Sequence, residues 1–364
     1  MSEKDNFALA RRPTSAVERA ELGAKRILSD MVAGTLALAN RDYGSPTKSR
    51  FRIGEYEWCE PDYRQILIWA KVLGLSSGEV IRRLLKGGKC VDDSWYETRF
   101  SNGRLLKINW DLKLLPVLEF ELIEGLKTTH LCLNQDYVKR PRIRMRNLRL
   151  PHLTPLEFNQ FDVGAEGCDL SGVPSLIELE CGFSQIRELD LRGVPRLQKL
   201  GCLDNRLSKL DLSAVPNLIE LACGDNQISE VDISKVPRLQ KLYCYANRLS
   251  GLGQSGVSHL THLWCGENEI GELDLSKMPN LEYLNCASNR LSNLDLVGVP
   301  MLKRLFCEKN NLGELDLSGA TELEVLDCMD NAIDVLDISP LFHLRELKYD
   351  VGTTRLLQRQ DQHF

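Results

Sequence analysis

Eight of the twelve cysteines in this chain of 364 residues stand at one spacing: Cys181, Cys202, Cys223, Cys244, Cys265, Cys286, Cys307 and Cys328, each 21 residues after the last. Thiols hold metals, form disulfides or attack as nucleophiles, and each chemistry demands its own geometry. A tetrahedral zinc site needs four ligands converging on a point, whereas one thiol per fixed period makes a row. Disulfides are disfavoured because side chains in such a row point the same way, and because a chain without an export signal is expected in a reducing cytosol. Outside the row, Cys59 lies among Glu57, Glu60 and Asp62 with no histidine nearby in sequence. Carboxylates raise a thiol pKa, which is the wrong direction for a nucleophile. The sequence also contains no phosphate-binding glycine loop, no metal-ligand spacing and no nucleophile elbow, so neither an enzyme nor a cofactor is expected.

The row is a symptom of a larger period. Aligned on the cysteine, the chain repeats L-x-x-L-x-C-x-x-N-x-[LI]-x-x-L-D-L-S-x-V-P-x, with Leu176, Leu197, Leu218, Leu239, Leu260, Leu281, Leu302 and Leu323 opening successive units. A fixed period between 20 and 50 residues signals a solenoid, in which each unit stacks on its neighbours. The unit is a leucine-rich repeat, and with cysteine at its sixth position it resembles the cysteine-ladder repeats of the bacterial internalin-J type. The resemblance covers about residues 153–349. It implies a parallel sheet on the concave face, an asparagine ladder at the turn and a role in binding proteins, and it implies no chemistry.

The residues support the same architecture independently. In L-x-C the alternation of a strand turns Leu179 and Cys181 inward while Glu178, Glu180 and Gly182 face solvent. A second ladder, Asn205, Asn226, Asn247, Asn268, Asn289, Asn310 and Asn331, has Ser184 where its first member should be. An amide offers two donors and an acceptor, enough to serve the turn backbone of two adjacent coils. Both ladders are therefore structural. A single unit buries too little to fold alone, so stability depends on stacking and on capped ends. The cap candidates are Leu153-x-x-Leu156-x-Phe158 before the array and Leu344-x-x-Leu347-x-Tyr349 after it.

Once the register is fixed, the solvent face of the sheet can be read residue by residue. The position before each cysteine reads Glu180, Gly201, Ala222, Tyr243, Trp264, Asn285, Phe306, Asp327. Two positions earlier the series is Glu178, Lys199, Glu220, Lys241, His262, Tyr283, Arg304, Val325, and Tyr245 follows Cys244. Tyr243, Tyr245, His262, Trp264, Tyr283, Arg304 and Phe306 thus fall on four neighbouring strands. Residues of these types are enriched where proteins bind one another. Gly224 and Gly266, flanking Tyr245, are expected to leave hollows beside it. In the same stretch Leu252-Gly253-Gln254-Ser255-Gly256-Val257-Ser258 replaces the L-D-L-S-x-V-P turn. The register puts that break on the opposite, convex side, where it reads as a local bulge rather than part of the site.

The first 150 residues differ in kind. They carry 27 Lys and Arg against 19 Asp and Glu, a net +8, so that the overall −5 leaves −13 for the remainder. Ser15-x-x-Glu18 and an apolar stripe predict a helix over 16–40, followed by a polar linker over 41–50. A strand pattern over 51–59 precedes two helices over 61–73 and 76–86, with Ala70, Gly74 and Val80 at helix-turn-helix spacing. That hairpin could present Arg82, Arg83 and Lys86 to DNA, and the run 139–149 places Arg142, Arg144 and Arg146 on one strand face as a basic strip. The bland readings are a capping or docking hairpin and a solvated edge strand. Ser101-Asn102-Gly103-Arg104 predicts a hairpin turn, and the apolar pattern over 116–133 reads as degenerate repeats.

The expected organisation is a helix and linker over 1–50, a small α+β capping region over 51–150, an α/β leucine-rich-repeat solenoid over 151–350 with eight 21-residue units plus caps, and a tail over 351–364. The expected function is protein–protein interaction through the concave sheet; the alternative is a DNA-binding regulator using 61–86 and 139–149. A cytoplasmic, bacterial, monomeric protein with no membrane span is expected.

Overall fold

A computed structural model describes residues 150–159, 168–253 and 258–364 continuously, and before them 50–53, 56–59, 63–64, 66–67, 70, 76–78, 80–81, 99–101, 104–111, 117–119, 130–134 and 142–144. The chain divides into two units, Met1–Lys86 with Ser101–Arg104, and Gly87–Phe100 with Leu105–Phe364. In the first unit, β1 (Arg50–Ile53) and β2 (Tyr56–Cys59) pair antiparallel. The strand pattern over 51–59 is therefore two short antiparallel strands rather than one. Described residues between 63 and 70 and between 77 and 81 are helical. Ile66, Ala70, Val80 and Ile81 are buried, and the Val80 N–H donates to the Ser76 carbonyl at 3.1 Å, as in the first turn of the helix expected over 76–86. The expected helix over 16–40 and the DNA-contact candidates Arg82, Arg83, Lys86 and Arg146 lie outside the described residues.

Before the cysteine array come β3 (Arg99–Ser101) and β4 (Arg104–Asp111), which apart from Ser101 and Arg104 belong to the second unit, and then β5 (Val117–Glu119), β6 (His130–Asn134), β7 (Arg142–Arg144) and β8 (Pro155–Glu157), all within it. The array contributes one strand per unit: β9 (Glu178–Glu180), β10 (Lys199–Gly201), β11 (Glu220–Ala222), β12 (Lys241–Tyr243), β13 (His262–Trp264), β14 (Tyr283–Asn285), β15 (Arg304–Phe306) and β16 (Val325–Asp327). After it come β17 (Val335–Asp337), β18 (Glu346–Lys348) and β19 (Arg355–Leu357). One sheet of 13 strands runs in the order β18-β16-β15-β14-β13-β12-β11-β10-β9-β8-β6-β4-β3. From β4 to β18 its pairings are parallel.

Two features of this order go beyond the repeat pattern. The irregular unit at Leu156, expected as a cap, is interior to the sheet, because β6 and β4 continue beyond it. Leu131, Leu156 and Leu179 pair in register although they are 25 and then 23 residues apart rather than 21, which is what hides these coils in the sequence. By contrast Val117–Glu119 pairs only with Arg142–Arg144 in a separate parallel pair. The basic strip thus contains a strand at the edge of a two-stranded sheet.

Inside the solenoid every coil repeats the same packing. The opening leucines from Leu176 to Leu323 are fully buried, as are Leu179, Leu200, Leu221 and their successors in the strands. The eight ladder cysteines and Cys168 are free and buried. Burying one such aliphatic side chain stabilises by about 1.5–3 kcal/mol, and stacked coils share that gain across every interface.

The turn after each strand is bent by a residue in the left-handed region. Phe183, Asp204, Asp225, Ala246, Glu267, Ser288, Lys309 and Asp330 all have φ between 46° and 57°, and none is glycine. Such a conformation costs on the order of 1 kcal/mol and persists only where surroundings over-determine it. The asparagine that follows does this. Asn268 donates to the carbonyls of Cys244, Cys265 and Gly266 at 3.0–3.1 Å and accepts from the Leu249 N–H at 3.0 Å. Asn205 makes the same bonds and also accepts from Ser184 N, while the Ser184 hydroxyl donates to Phe158 and Gly182 carbonyls where the ladder's first amide is missing.

On the convex side the aspartate of L-D-L-S accepts from the backbone N–H two residues on, at 2.8–3.0 Å, in eight coils from Asp169 to Asp337. Hydrogen bonds from the serine two residues on hold Asp169, Asp211, Asp232, Asp274, Asp316 and Asp337 below the usual carboxylate range, and at Asp190 the Arg192 guanidinium, then the Arg192 N–H, lowers it to about 2. Gly253 stands where this aspartate belongs and takes φ +69°, so the coil departs from the pattern at that residue; 254–257 lie outside the described residues.

The C-terminal end is closed by side chains. Asp330 N and Asn331 N, which in earlier coils would donate to carbonyls of the next coil, donate instead to the two oxygens of Asp350 at 2.9 and 3.2 Å. In the segment expected as a tail, β19 pairs with β17 and the buried Gln362 amide donates to the Ile338 and Leu341 carbonyls.

Candidate functional site

Strand alternation leaves two side chains of each strand on the concave face, and the parallel register lines them up. Tyr243 pairs with Trp264, His262 with Tyr283, Tyr283 with Arg304, and Asn285 with Phe306. Neighbouring strands are about 4.8 Å apart, close enough for rings at the same or diagonal positions to touch. They do. Trp264 stacks on Tyr283 with centroids 5.3 Å apart, and Tyr283 stacks on Phe306 at 5.6 Å and on His262 at 5.9 Å. Tyr243 meets Trp264 edge-on at 5.5 Å and 78°.

Tyr283 is therefore the hub of a continuous ladder across four strands. Its rings are half-buried, and the exposed Arg304 stands beside Tyr283 on the next strand. Burial raises the pKa of Tyr243 and Tyr283, so both hydroxyls remain donors at neutral pH. The Thr261 hydroxyl donates to the Gln240 carbonyl at 3.0 Å and lies 3.0 Å from His262 Nδ1. A hydroxyl that has given its proton away can only accept, which puts the imidazole proton on Nδ1 and leaves Nε2 as an acceptor. Burial, then the nearby Lys241, lowers the His262 pKa and keeps the ring neutral at neutral pH.

Of the seven residues expected to form the patch, Tyr245 stands apart. Its ring lies over Gly224, where an added Cβ would come within 2.8 Å of Cζ, and its hydroxyl engages Asp225. The hollow expected at Gly224 is thus filled by Tyr245 itself. At Gly266 an added Cβ would meet the Asn285 amide oxygen at 2.9 Å, so that hollow is filled too. Two atoms of this face lack hydrogen-bond partners while shielded from solvent, Trp264 Nε1 and Glu308 Oε2. Burial also raises the Glu308 pKa, the response of a carboxylate that cannot be satisfied as an anion.

Toward the N-terminal end the face changes from aromatic to charged. Lys199 pairs with Glu178 at 3.1 Å and Lys241 with Glu220 at 3.8 Å. Glu180 is different. The residue as a whole is exposed, but its carboxyl is laid over Gly201, where an added Cβ would fall 1.9 Å from Oε2. Close packing of that group, then the charges of Glu157, Glu220 and Glu178, push its pKa up to about 7. The sequence reading missed this group because its signal lies in the neighbouring strand's glycine, not in Glu180.

The thiols have no part in the face. Burial raises each ladder cysteine far from reactivity, Cys223 and Cys265 to about 12, so none is a nucleophile at neutral pH. Among the described residues no group of His, Cys, Asp and Glu could hold a metal ion, and no helix is long and apolar enough to cross a membrane.

A family model for leucine-rich repeats, in two copies, matches residues 258–297. A solved leucine-rich-repeat protein of Leptospira interrogans is 18% identical, with a TM-score of 0.57 over 68% of this chain and 71% of its own. Parallel strands in 21-residue register, buried leucines and an unbroken asparagine ladder agree with that match. The repeat region, about residues 150–350, has the leucine-rich-repeat solenoid fold. This solenoid is also similar to internalin InlF of Listeria monocytogenes, at 19% identity and TM-score 0.50 over 68% of this chain and 87% of that one. The functional domain of InlJ from Listeria monocytogenes, whose description includes a cysteine ladder, is 23% identical with a TM-score of 0.49, and the match spans 69% of this chain and 64% of that one. No curated protein matches the sequence. Likeness at these identities establishes the fold; leucine-rich-repeat domains commonly mediate protein–protein interaction, and the partner must be argued from the site.

Proposed function

We propose that the protein is an interaction module that captures a protein partner on its concave sheet, through Tyr243, His262, Trp264, Tyr283, Arg304 and Phe306. The observation that carries this reading is the unbroken contact of five aromatic rings at positions where the three preceding coils place Glu, Lys, Gly or Ala and the following one Val and Asp. Half-buried aromatics at adjacent positions supply rigid apolar area at low entropic cost, and such groups dominate binding energy in protein interfaces. Among the described residues the rings touch each other, and their half-exposed outer edges support a role in holding a partner. Tyr245, turned away over Gly224, belongs to the rim. The alternative of DNA binding rests on Arg82, Arg83, Lys86 and Arg146, outside the described residues, and on Arg142 and Arg144 in an edge strand; no observation on the described residues favours it over the concave face.

The test is affinity capture from the native host with wild type and with Tyr243→Ala/Trp264→Ala. Partner capture is expected to disappear while the melting temperature stays within a few degrees, because neither ring contributes to the leucine core. Unchanged capture rejects the proposal.

A further inference from the structure

The aromatic ladder ends at Tyr243, and what lies beyond it is unlike anything on its other flank. From Tyr243 the paired positions run to Ala222 and then Gly201, two positions with almost no side chain. The Glu180 carboxyl reaches back over Gly201 from the next strand. A shallow recess floored by Ala222 is thus bounded by a tyrosine ring on one side and a carboxylate on the other. At about 4.8 Å per strand, Tyr243 and the backbone of Gly201 are roughly 10 Å apart. That spacing admits one planar cation in contact with both.

The charges around the recess make the same point. Lys199 and Lys241, the nearest cations on this face, are each engaged by a glutamate of their own, Glu178 and Glu220. Glu180 is left with an excess of carboxylates around it, Glu157, Glu178 and Glu220, and residues 151–364 as a whole carry −13. The surface is therefore complementary to a positive partner at the point where its apolar strip stops.

We propose that the partner presents an arginine here, its guanidinium seated over Ala222 between the Glu180 carboxylate and the Tyr243 ring, while an adjoining apolar residue packs on Trp264 and Tyr283. Arginine fits better than lysine because a planar guanidinium can stack on a ring and donate to a carboxylate at once, whereas an ammonium is a hydrated point charge. Desolvating that carboxylate in the free protein is unfavourable, and a bound guanidinium relieves it. The partner segment is thus basic and apolar in alternation. This inference rests on the concave face being the binding surface and adds the chemistry of what binds.

The test uses the full chain and a labelled synthetic peptide alternating leucine with arginine, together with counterparts carrying lysine, glutamine or glutamate in place of arginine, read by fluorescence anisotropy. Wild type is expected to bind the arginine peptide at least about tenfold more tightly than the glutamine peptide, with lysine between them and glutamate weakest. Glu180→Gln should remove most of that preference without changing glutamine-peptide binding. Glu188→Gln, the same carboxyl-to-amide change on an exposed residue outside the strands, should leave the preference intact. Absence of arginine-peptide binding, equal affinity for lysine and arginine, or equal losses in the two glutamate variants overturns the inference. Tyr243→Ala/Trp264→Ala should weaken every peptide. If it weakens none, the concave-face reading itself falls, whereas aromatic dependence without arginine preference sinks only the assignment of arginine.

Discussion

The inward and outward side chains of the same three-residue strands obey opposite rules. Inward, leucine and then cysteine recur in every coil from β9 to β16, fully or almost fully buried. Outward, no residue type holds a column for more than two adjacent coils. Neighbouring coils dictate the inward residues, because a side chain stacked on its own copy must match it in size and polarity. The outward residues answer only to solvent and to whatever binds. An aromatic run in those columns is thus information that the fold did not require.

The sharpest way to break this contrast is to remove one inward polar group. Asn268→Ala would strip partners from the Cys244, Cys265 and Gly266 carbonyls and the Leu249 N–H. Each buried group left unpaired costs about 1–3 kcal/mol, and with partial access of water to the turn we expect a loss of about 2–4 kcal/mol in urea unfolding. A loss under about 1 kcal/mol would mean that the ladder is ornamental.

A smaller effect is expected from a single atom. Cys265→Ser replaces sulfur by a hydroxyl in a column with no exposure to water, at a cost of about 1–3 kcal/mol. The same hydroxyl placed outward by Ala222→Ser should change stability by less than about 0.5 kcal/mol. Equal shifts in the two denaturation midpoints would dissolve the distinction between the faces.

The smallest effect concerns pH. The folded Glu180 carboxyl titrates at about 7 rather than at the ordinary 4.5. The folded state therefore holds a proton that the unfolded state has already released, and stability falls as pH rises through that window. Glu180→Gln should flatten this decline, seen in melting temperatures between about pH 5 and pH 8. The amplitude is modest because the carboxyl is packed over Gly201 on one side only and the residue as a whole stays exposed, so solvent screens its charges. An identical slope in the variant would contradict the local origin of the shift.

Much of this was legible in the sequence because the repeat makes register visible. Once Cys181 to Cys328 fix the period, the inward and outward columns follow, and with them the aromatic ladder. What stayed hidden has two physical causes. The coils at Leu131 and Leu156 belong to the same sheet, but loops of unequal length between them erase the period while leaving strand pairing intact. The positions of Tyr245 and Glu180 depend on glycines in adjacent strands, Gly224 and Gly201, whose missing side chains invite a neighbour to fold over them. Periodicity reports where a side chain starts, and it says nothing about where a long one ends.

Asp350 carries a last consequence. A stack of like coils has no natural length, since each coil offers the next one the same donors and acceptors. By supplying two carboxylate oxygens where a further coil would bring backbone carbonyls, Asp350 satisfies Asp330 and Asn331 without reproducing the surface that recruited it. It works as a full stop: another coil, from this chain by duplication or from a second molecule by end-to-end growth, could join only by displacing it. The end of the array thereby presents a different surface from the one its interior coils repeat.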